Sequence, residues 1–225
     1  MNEKTFRVLE FGKILTRLST YASSTLGKEL ALRLRPSIAS DEIIQWQAET
    51  TEACLISQSG DRIPLGGISD LRAAFKKARL GGILAPEELG AVGATCRAAR
   101  LLRVFFSGER AETAPTLAAL AMALAAFPEL EQEIERAIEP EGSVKDNASP
   151  QLARLRSQIR TYQNRVRDKL NALVHGGESR KYLQEALVTL RNGRYVIPVK
   201  QEYRQLIPGI VHDQSASGAT LFIEP

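Results

Sequence analysis

His212, Asp213 and Ser215 bring the three side-chain types of a serine-hydrolase triad into four residues. A triad needs members that converge from separate elements, so that base meets nucleophile and acid meets base, whereas neighbours on a strand point to opposite faces. The run His-Asp-Gln-Ser-Ala-Ser-Gly at 212–218 therefore reads as a polar strand end and turn. Gly27-Lys28 resembles the tail of a phosphate loop, but the upstream glycine, the Ser/Thr after the lysine and a preceding strand are all missing. It reads as helix. Glu129, Glu131, Glu133 and Glu135 invite a metal-site reading, yet alternate spacing spreads them around a helix and predicts a solvated face. His175, at a helix end, fits the C-terminal dipole better than it fits catalysis. Cys54 and Cys96 sit apart in apolar helical patterns, without the clustering that a disulfide framework or a metal site requires. Both are expected to be buried small hydrophobes. No catalytic residue and no metal ligand is assigned.

Lys and Arg remain. Residues 1–150 hold 18 basic and 20 acidic groups and residues 151–225 hold 12 and 6, so a chain of net charge +4 divides into parts of −2 and +6. The basic part is the candidate for a polyanionic partner. Arg156, Arg160 and Arg167 fall on one side of an apolar helical seam, Arg154, Arg165 and Lys169 on the other. Arg180, Lys181, Arg191, Arg194, Lys200 and Arg204 follow in and around a hairpin. Cations along a surface bind phosphates without reading bases, and only Tyr195 and Tyr203 stand nearby for stacking. The expected nucleic-acid contacts are Arg156, Arg160, Arg167, Arg180, Lys181, Arg194, Lys200 and Arg204. Cations beside a coiled-coil seam also serve as ordinary solubilising residues. The alternative is therefore a helical coiled-coil protein-interaction module that binds no nucleic acid.

The elements that must position these residues are mainly helical. Aromatics make up 6% of the chain, while Leu, Ala, Arg and Glu are abundant, which favours long helices over an all-β architecture. Phe6, Leu9, Ile14 and Leu18 share one helical face, a second helix at 24–34 stops before Pro36, and Ser40 is placed to cap a helix that runs to about 58. Further helices are expected from Ser69 or Asp70 to 80, from Pro86 to about 106, at 115–126 and at 128–138. A polar loop, 139–149, leads into the seam Leu152, Leu155, Ile159, Tyr162 and Val166, spaced 3, 4, 3, 4 and continued by Leu170 and Leu173. After His175-Gly176-Gly177 the period becomes strand-like, and Asn192-Gly193 between two β-rich runs is a strong hairpin signal. Pro198, which has no N–H to donate, puts its strand at an edge or a bulge. Short strands at 209–213 and 219–223 complete the expectation. The fold class is mainly α with a small C-terminal antiparallel β region: a helical core over 1–140, then 141–225 with a long coiled-coil-like helix at about 150–175 and a β-containing region at about 186–225.

No apolar run reaches the roughly 18 to 20 residues that span a bilayer, and Met1-Asn2-Glu3-Lys4-Thr5 lacks the basic-then-apolar opening of a leader. A cytoplasmic protein without a membrane partner is expected.

Two stretches carry a resemblance. Arg-Asn-Gly-Arg-Tyr-Val-Ile-Pro-Val-Lys-Gln-Glu-Tyr-Arg at 191–204 and Ile-Pro-Gly-Ile-Val-His-Asp-Gln-Ser-Ala-Ser-Gly-Ala-Thr-Leu-Phe-Ile-Glu-Pro at 207–225 resemble the type-two bacterial branch of the MutS family. Leu-Glu-Phe-Gly-Lys-Ile-Leu at 9–15, Leu-Gly-Gly-Ile-Ser-Asp-Leu at 65–71 and Gly-Gly-Ile-Leu-Ala-Pro-Glu-Glu at 81–88 are similar to the same family, so the likeness spans essentially the whole chain. It implies a helical core, a long lever helix and a β-containing clamp that approaches nucleic acid, without the mismatch-reading domain found elsewhere in the family. It also implies sequence-independent binding to branched or duplex DNA, contact with ribosomal RNA or the ribosome, suppression of homologous recombination, and rescue of stalled or collided ribosomes. The intact family adds an ATPase that uses ATP and magnesium, a homodimer interface and a small MutS-related endonuclease domain. The residues of those parts have no counterparts here, so no catalytic position is carried over. A chain ending at Pro225 is expected to be a fragment.

Overall fold

A computed structural model describes residues 3–177 and 179–225. They form two units, 1–148 and 149–225. In the first unit, helices run α1 Glu3–Val8, α2 Phe11–Tyr21, α3 Thr25–Arg33, α4 Ser40–Gln58, α5 Arg72–Arg79, α6 Pro86–Phe105, α7 Glu109–Thr113, α8 Pro115–Met122 and α9 Pro128–Ala137.

The opening stripe is broken. Glu10 takes a left-handed φ of 52° between α1 and α2, and Phe6 stacks on Phe11 with ring centroids 5.2 Å apart. This break resets the helical phase: Leu9 is exposed in the turn, and α2 buries Leu15 and Ser19 and leaves Ile14 and Leu18 exposed. The hydroxyl of Ser24 caps α3 by accepting from the Gly27 N–H at 3.0 Å, which makes Gly27-Lys28 ordinary helix. Ser40 proves to be the first residue of α4 and not its cap. Ser37 does the ordering, accepting from the Ala39 N–H at 3.0 Å and donating to Glu42 at 2.5 Å. Farther along α4, Glu52 and Ile56 are buried, whereas Cys54 is exposed and Cys96 on α6 is half-buried, so neither cysteine is the buried hydrophobe expected.

Two acidic side chains organise this unit from inside. The Glu52 carboxylate accepts the Thr116 N–H at 3.1 Å and the Leu117 N–H at 2.8 Å, which are orphan donors of the first turn of α8. Burial pushes its carboxyl up, but these backbone donors more than offset that and hold it below the usual range. Glu131 is also buried, accepting Arg100 Nε at 2.9 Å and Nη2 at 2.8 Å, with Arg97 Nε at 3.5 Å. The Arg100 hydrogen bonds hold it below the usual range against the opposing effect of burial. The acidic run of α9 is therefore not a uniformly solvated face: Glu131 points to α6, and Glu135 pairs with Arg97. Around these pairs lie two apolar clusters, Ile56, Phe106, Ala114, Ala118 and Ala121 in one and Val92, Ile134 and Ile138 in the other.

The second unit begins with α10, Pro150–His175, whose 26 residues extend about 39 Å. The hydroxyl of Ser149 caps it by accepting from the Leu152 N–H at 3.1 Å, and His175 Nδ1 lies 2.9 Å from the Asn171 carbonyl at the other end. A 3-10 turn, Ser179–Tyr182, leads to strands β1 Thr189–Arg191, β2 Arg194–Lys200, β3 Ile210–Gln214 and β4 Thr220–Glu224, with a second 3-10 turn at Gln201–Tyr203. The strands form one antiparallel sheet in the order β1-β2-β4-β3. Asn192 and Gly193 have φ of 50° and 76°, the positive values that a two-residue hairpin needs. Pairing of β1 with β2 stops at Val196, two residues short of Pro198, whose carbonyl accepts the Gln184 N–H at 2.9 Å. The missing N–H of Pro198 thus falls where the ladder has opened. Leu170 and Val174 of α10 pack with Ile197, Val199, Leu221 and Ile223 to form the core. The architecture is mainly α with a small four-stranded antiparallel sheet. Among the described residues no helix is long and apolar enough to cross a membrane.

Candidate nucleic-acid interface

The first residue types considered for chemistry do not assemble. His212 Nε2 meets Glu224 Oε2 at 2.7 Å, Asp213 approaches Arg191 Nε at 3.3 Å, and the Ser215 hydroxyl accepts the Thr220 N–H at 3.1 Å. Each is spent on tying strands and the β3–β4 turn together. Among the described residues no group of three or more His, Cys, Asp or Glu side chains is arranged to hold a metal ion. Gly27-Lys28 lies inside α3, so it forms no phosphate-binding loop.

The cations divide by their surroundings. Arg156, Arg160 and Arg167 lie on α10, where Arg156 is half-buried and the other two are exposed. Arg156 and Arg160 are engaged by other residues of the chain. Arg154, Arg167 and Lys169 are exposed on the same helix and have no ion-pair partner among the described residues, while Arg165 lies over the Tyr162 ring at 5.8 Å. Between the flanks the seam is open: Leu155, Ile159, Tyr162 and Val166 are 49%, 55%, 61% and 46% exposed, whereas Leu170 and Val174 are buried under the sheet.

In the hairpin the cations are committed to the fold. Arg194 Nε lies 3.0 Å from Glu224 Oε2, the same oxygen that His212 approaches. Burial pushes the Glu224 carboxyl up, but these two partners win and leave it below the usual range. Arg191 stacks over the Phe222 ring at 4.5 Å while it pairs with Asp213. Arg204 donates Nη1 to the Ile207 carbonyl at 3.1 Å and Nη2 to the Gly209 carbonyl at 2.9 Å, clasping the turn before β3. That turn is tight at Gly209, where a Cβ would collide with the Glu224 carbonyl.

Arg180, Lys181 and Lys200 are different. Arg180 and Lys181 project from the 3-10 turn, and Lys200, which ends β2, donates Nζ to the Lys181 carbonyl at 3.3 Å. None of the three has an ion-pair partner among the described residues. Beneath them, Tyr182 and Tyr203 meet with ring centroids 5.1 Å apart. Sequence spacing pointed to Tyr203 but not to Tyr182, which lies 21 residues away and is brought to it by the bridge between Leu183 and Val199.

By sequence the chain is a member of the MutS family. More narrowly, it is similar along all its residues to the proteins called endonuclease MutS2: 48% identical to that of Geobacillus sp. (strain WCH70), 47% to that of Symbiobacterium thermophilum and 44% to that of Alkaliphilus metalliredigens. The chain covers 28–29% of the length of each of these relatives. No family model matches it.

Proposed function

We propose that this chain is a nucleic-acid-binding part of a MutS-like, ATP-dependent protein, corresponding to core, lever and clamp. The observation that carries the reading is the charge of the second unit, in which the exposed Arg154, Arg167 and Lys169 of α10 and Arg180 and Lys181 of the following 3-10 turn have no ion-pair partner among the described residues. The name of the relatives, an endonuclease, agrees with a nucleic-acid substrate. In this reading the chain supplies phosphate contacts to branched or duplex DNA and to ribosomal RNA, within a homodimer that restrains recombination or rescues ribosomes. ATP, magnesium and the endonuclease chemistry would belong to other parts of the longer protein.

Titration of the chain with labelled duplexes of unrelated sequence, at several salt concentrations, tests this. Phosphate contacts release counterions, so log K falls linearly with log salt and hardly depends on sequence. The open seam favours a second reading, a coiled-coil interaction module. In that case duplex binding is absent and a helical partner binds without a steep salt slope.

A further inference from the structure

Resting on the nucleic-acid reading above, we propose that Lys181, Lys200, Tyr182 and Tyr203 form a subsite for one unpaired nucleotide, with its phosphate between the two ammonium groups and its base on a tyrosine ring. Four observations meet at this place. The rings of Tyr182 and Tyr203 lie 5.1 Å apart and tilted by 53°, each partly exposed and backed by the core cluster of the sheet. Lys181 Nζ stands 5.0 Å from the centre of the Tyr182 ring, and Lys200 Nζ stands 5.9 Å from that of Tyr203. The bond from Lys200 Nζ to the Lys181 carbonyl, at 3.3 Å, holds one ammonium beside the backbone that carries the other lysine. Glu185 and Glu202, the nearest acids in sequence among the described residues, pair with neither lysine.

The chemistry selects the ligand. Two ammonium groups demand an anion, and the aromatic faces beside them demand a flat π system covalently attached to that anion. A nucleotide has both. The rings already touch, so no base fits between them and stacking must use an outer face. Bases inside a continuous duplex have no free face, so the subsite discriminates by strand character and not by sequence, favouring gaps, flaps and junctions. Elsewhere in the second unit, Arg191, Arg194 and Arg204 are committed to internal partners, and the cations of α10 stand without an aromatic pair beside them.

The test uses the intact chain with three DNAs of equal length: a continuous duplex, a duplex with a single-stranded flap, and a single strand. Base–aromatic stacking is sequence-tolerant and strong enough to read by substitution. Tyr203→Leu and Tyr182→Leu should weaken flap and single-strand binding about 5- to 100-fold and leave duplex binding within about twofold, while the Phe variants keep the wild-type pattern. A 2-aminopurine placed as the unpaired base should lose fluorescence on binding to the wild type and not to Lys181→Ala/Lys200→Ala, a readout that does not depend on the tyrosine variants folding. Equal losses on all three DNAs, or unchanged 2-aminopurine emission when wild type is bound, overturns the subsite while the nucleic-acid reading stands. No binding of wild type to any of the three overturns both.

Discussion

Arg194 and Glu224 face each other at the ends of neighbouring strands, with Nε and Oε2 3.0 Å apart, and the same oxygen receives His212. One carboxylate thus offsets the outermost guanidinium of the hairpin. Glu224→Gln should release Arg194 toward phosphate, tightening duplex binding and steepening the salt slope by up to about 0.9. Anisotropy titrations of the variant at several salt concentrations check this, and unchanged or weaker binding would show that Arg194 faces no phosphate.

Arg204 should behave as a structural residue. Its two bonds to the Ile207 and Gly209 carbonyls are charge-assisted and partly buried, so Arg204→Ala should destabilise the chain by about 1.5–3 kcal/mol. Arg167→Ala, on an exposed site without a partner among the described residues, should fall within about 0.5 kcal/mol of wild type. Urea unfolding measures both.

The buried acids predict how stability depends on pH. Glu52 and Glu131 are held below their ordinary values in the folded chain, so each contributes stability that is complete above the unfolded carboxyl value of about 4.3. That contribution disappears as pH falls through their lower folded values. Glu131→Gln should cost about 1–3 kcal/mol at pH 7, and the gap between variant and wild type should close below about pH 4. A gap that persists undiminished in acid would mean that charge is not what Glu131 contributes.

The open seam predicts weak self-association with an unusual salt dependence. Leu155, Ile159, Tyr162 and Val166 offer an apolar stripe, but their flanks carry six cations against the single acid Asp168, so two copies repel along the surface they would share. Sedimentation should show association that strengthens as salt rises, opposite in sign to phosphate binding. Hydrogen exchange should be faster through 155–166 than through 170–174. Strong protection across the whole helix in a strict monomer contradicts this.

Local pattern made much of the second unit legible in sequence. The 3-4 spacing from Leu152 set the long helix, and Asn192-Gly193 set the hairpin, because each is a rule between close neighbours. What escaped depends on residues far apart in the chain. Nothing near Glu131 in sequence announces Arg100, nothing near Arg194 announces Glu224, and Tyr182 finds Tyr203 only when the sheet closes. The break at Glu10 escaped for a different reason: a hydrophobic stripe continues across it in sequence while the backbone changes phase. For the candidate interface, sequence identified the cations but not which of them the fold itself consumes.

That division is also what the most direct measurement addresses. Arg154, Arg167 and Lys169 are exposed on α10 with no ion-pair partner among the described residues, so Arg154→Ala/Arg167→Ala/Lys169→Ala removes charge without disturbing the seam or the sheet. Fluorescence anisotropy of wild type and variant against one duplex, from low to physiological salt, gives two slopes of log K against log salt. The account predicts a steep wild-type slope that flattens in the variant by up to about 2.7, at about 0.9 per lost phosphate contact, with the loss equal across unrelated sequences. Identical affinity and slope in the two proteins, or a wild-type slope near zero, would contradict it.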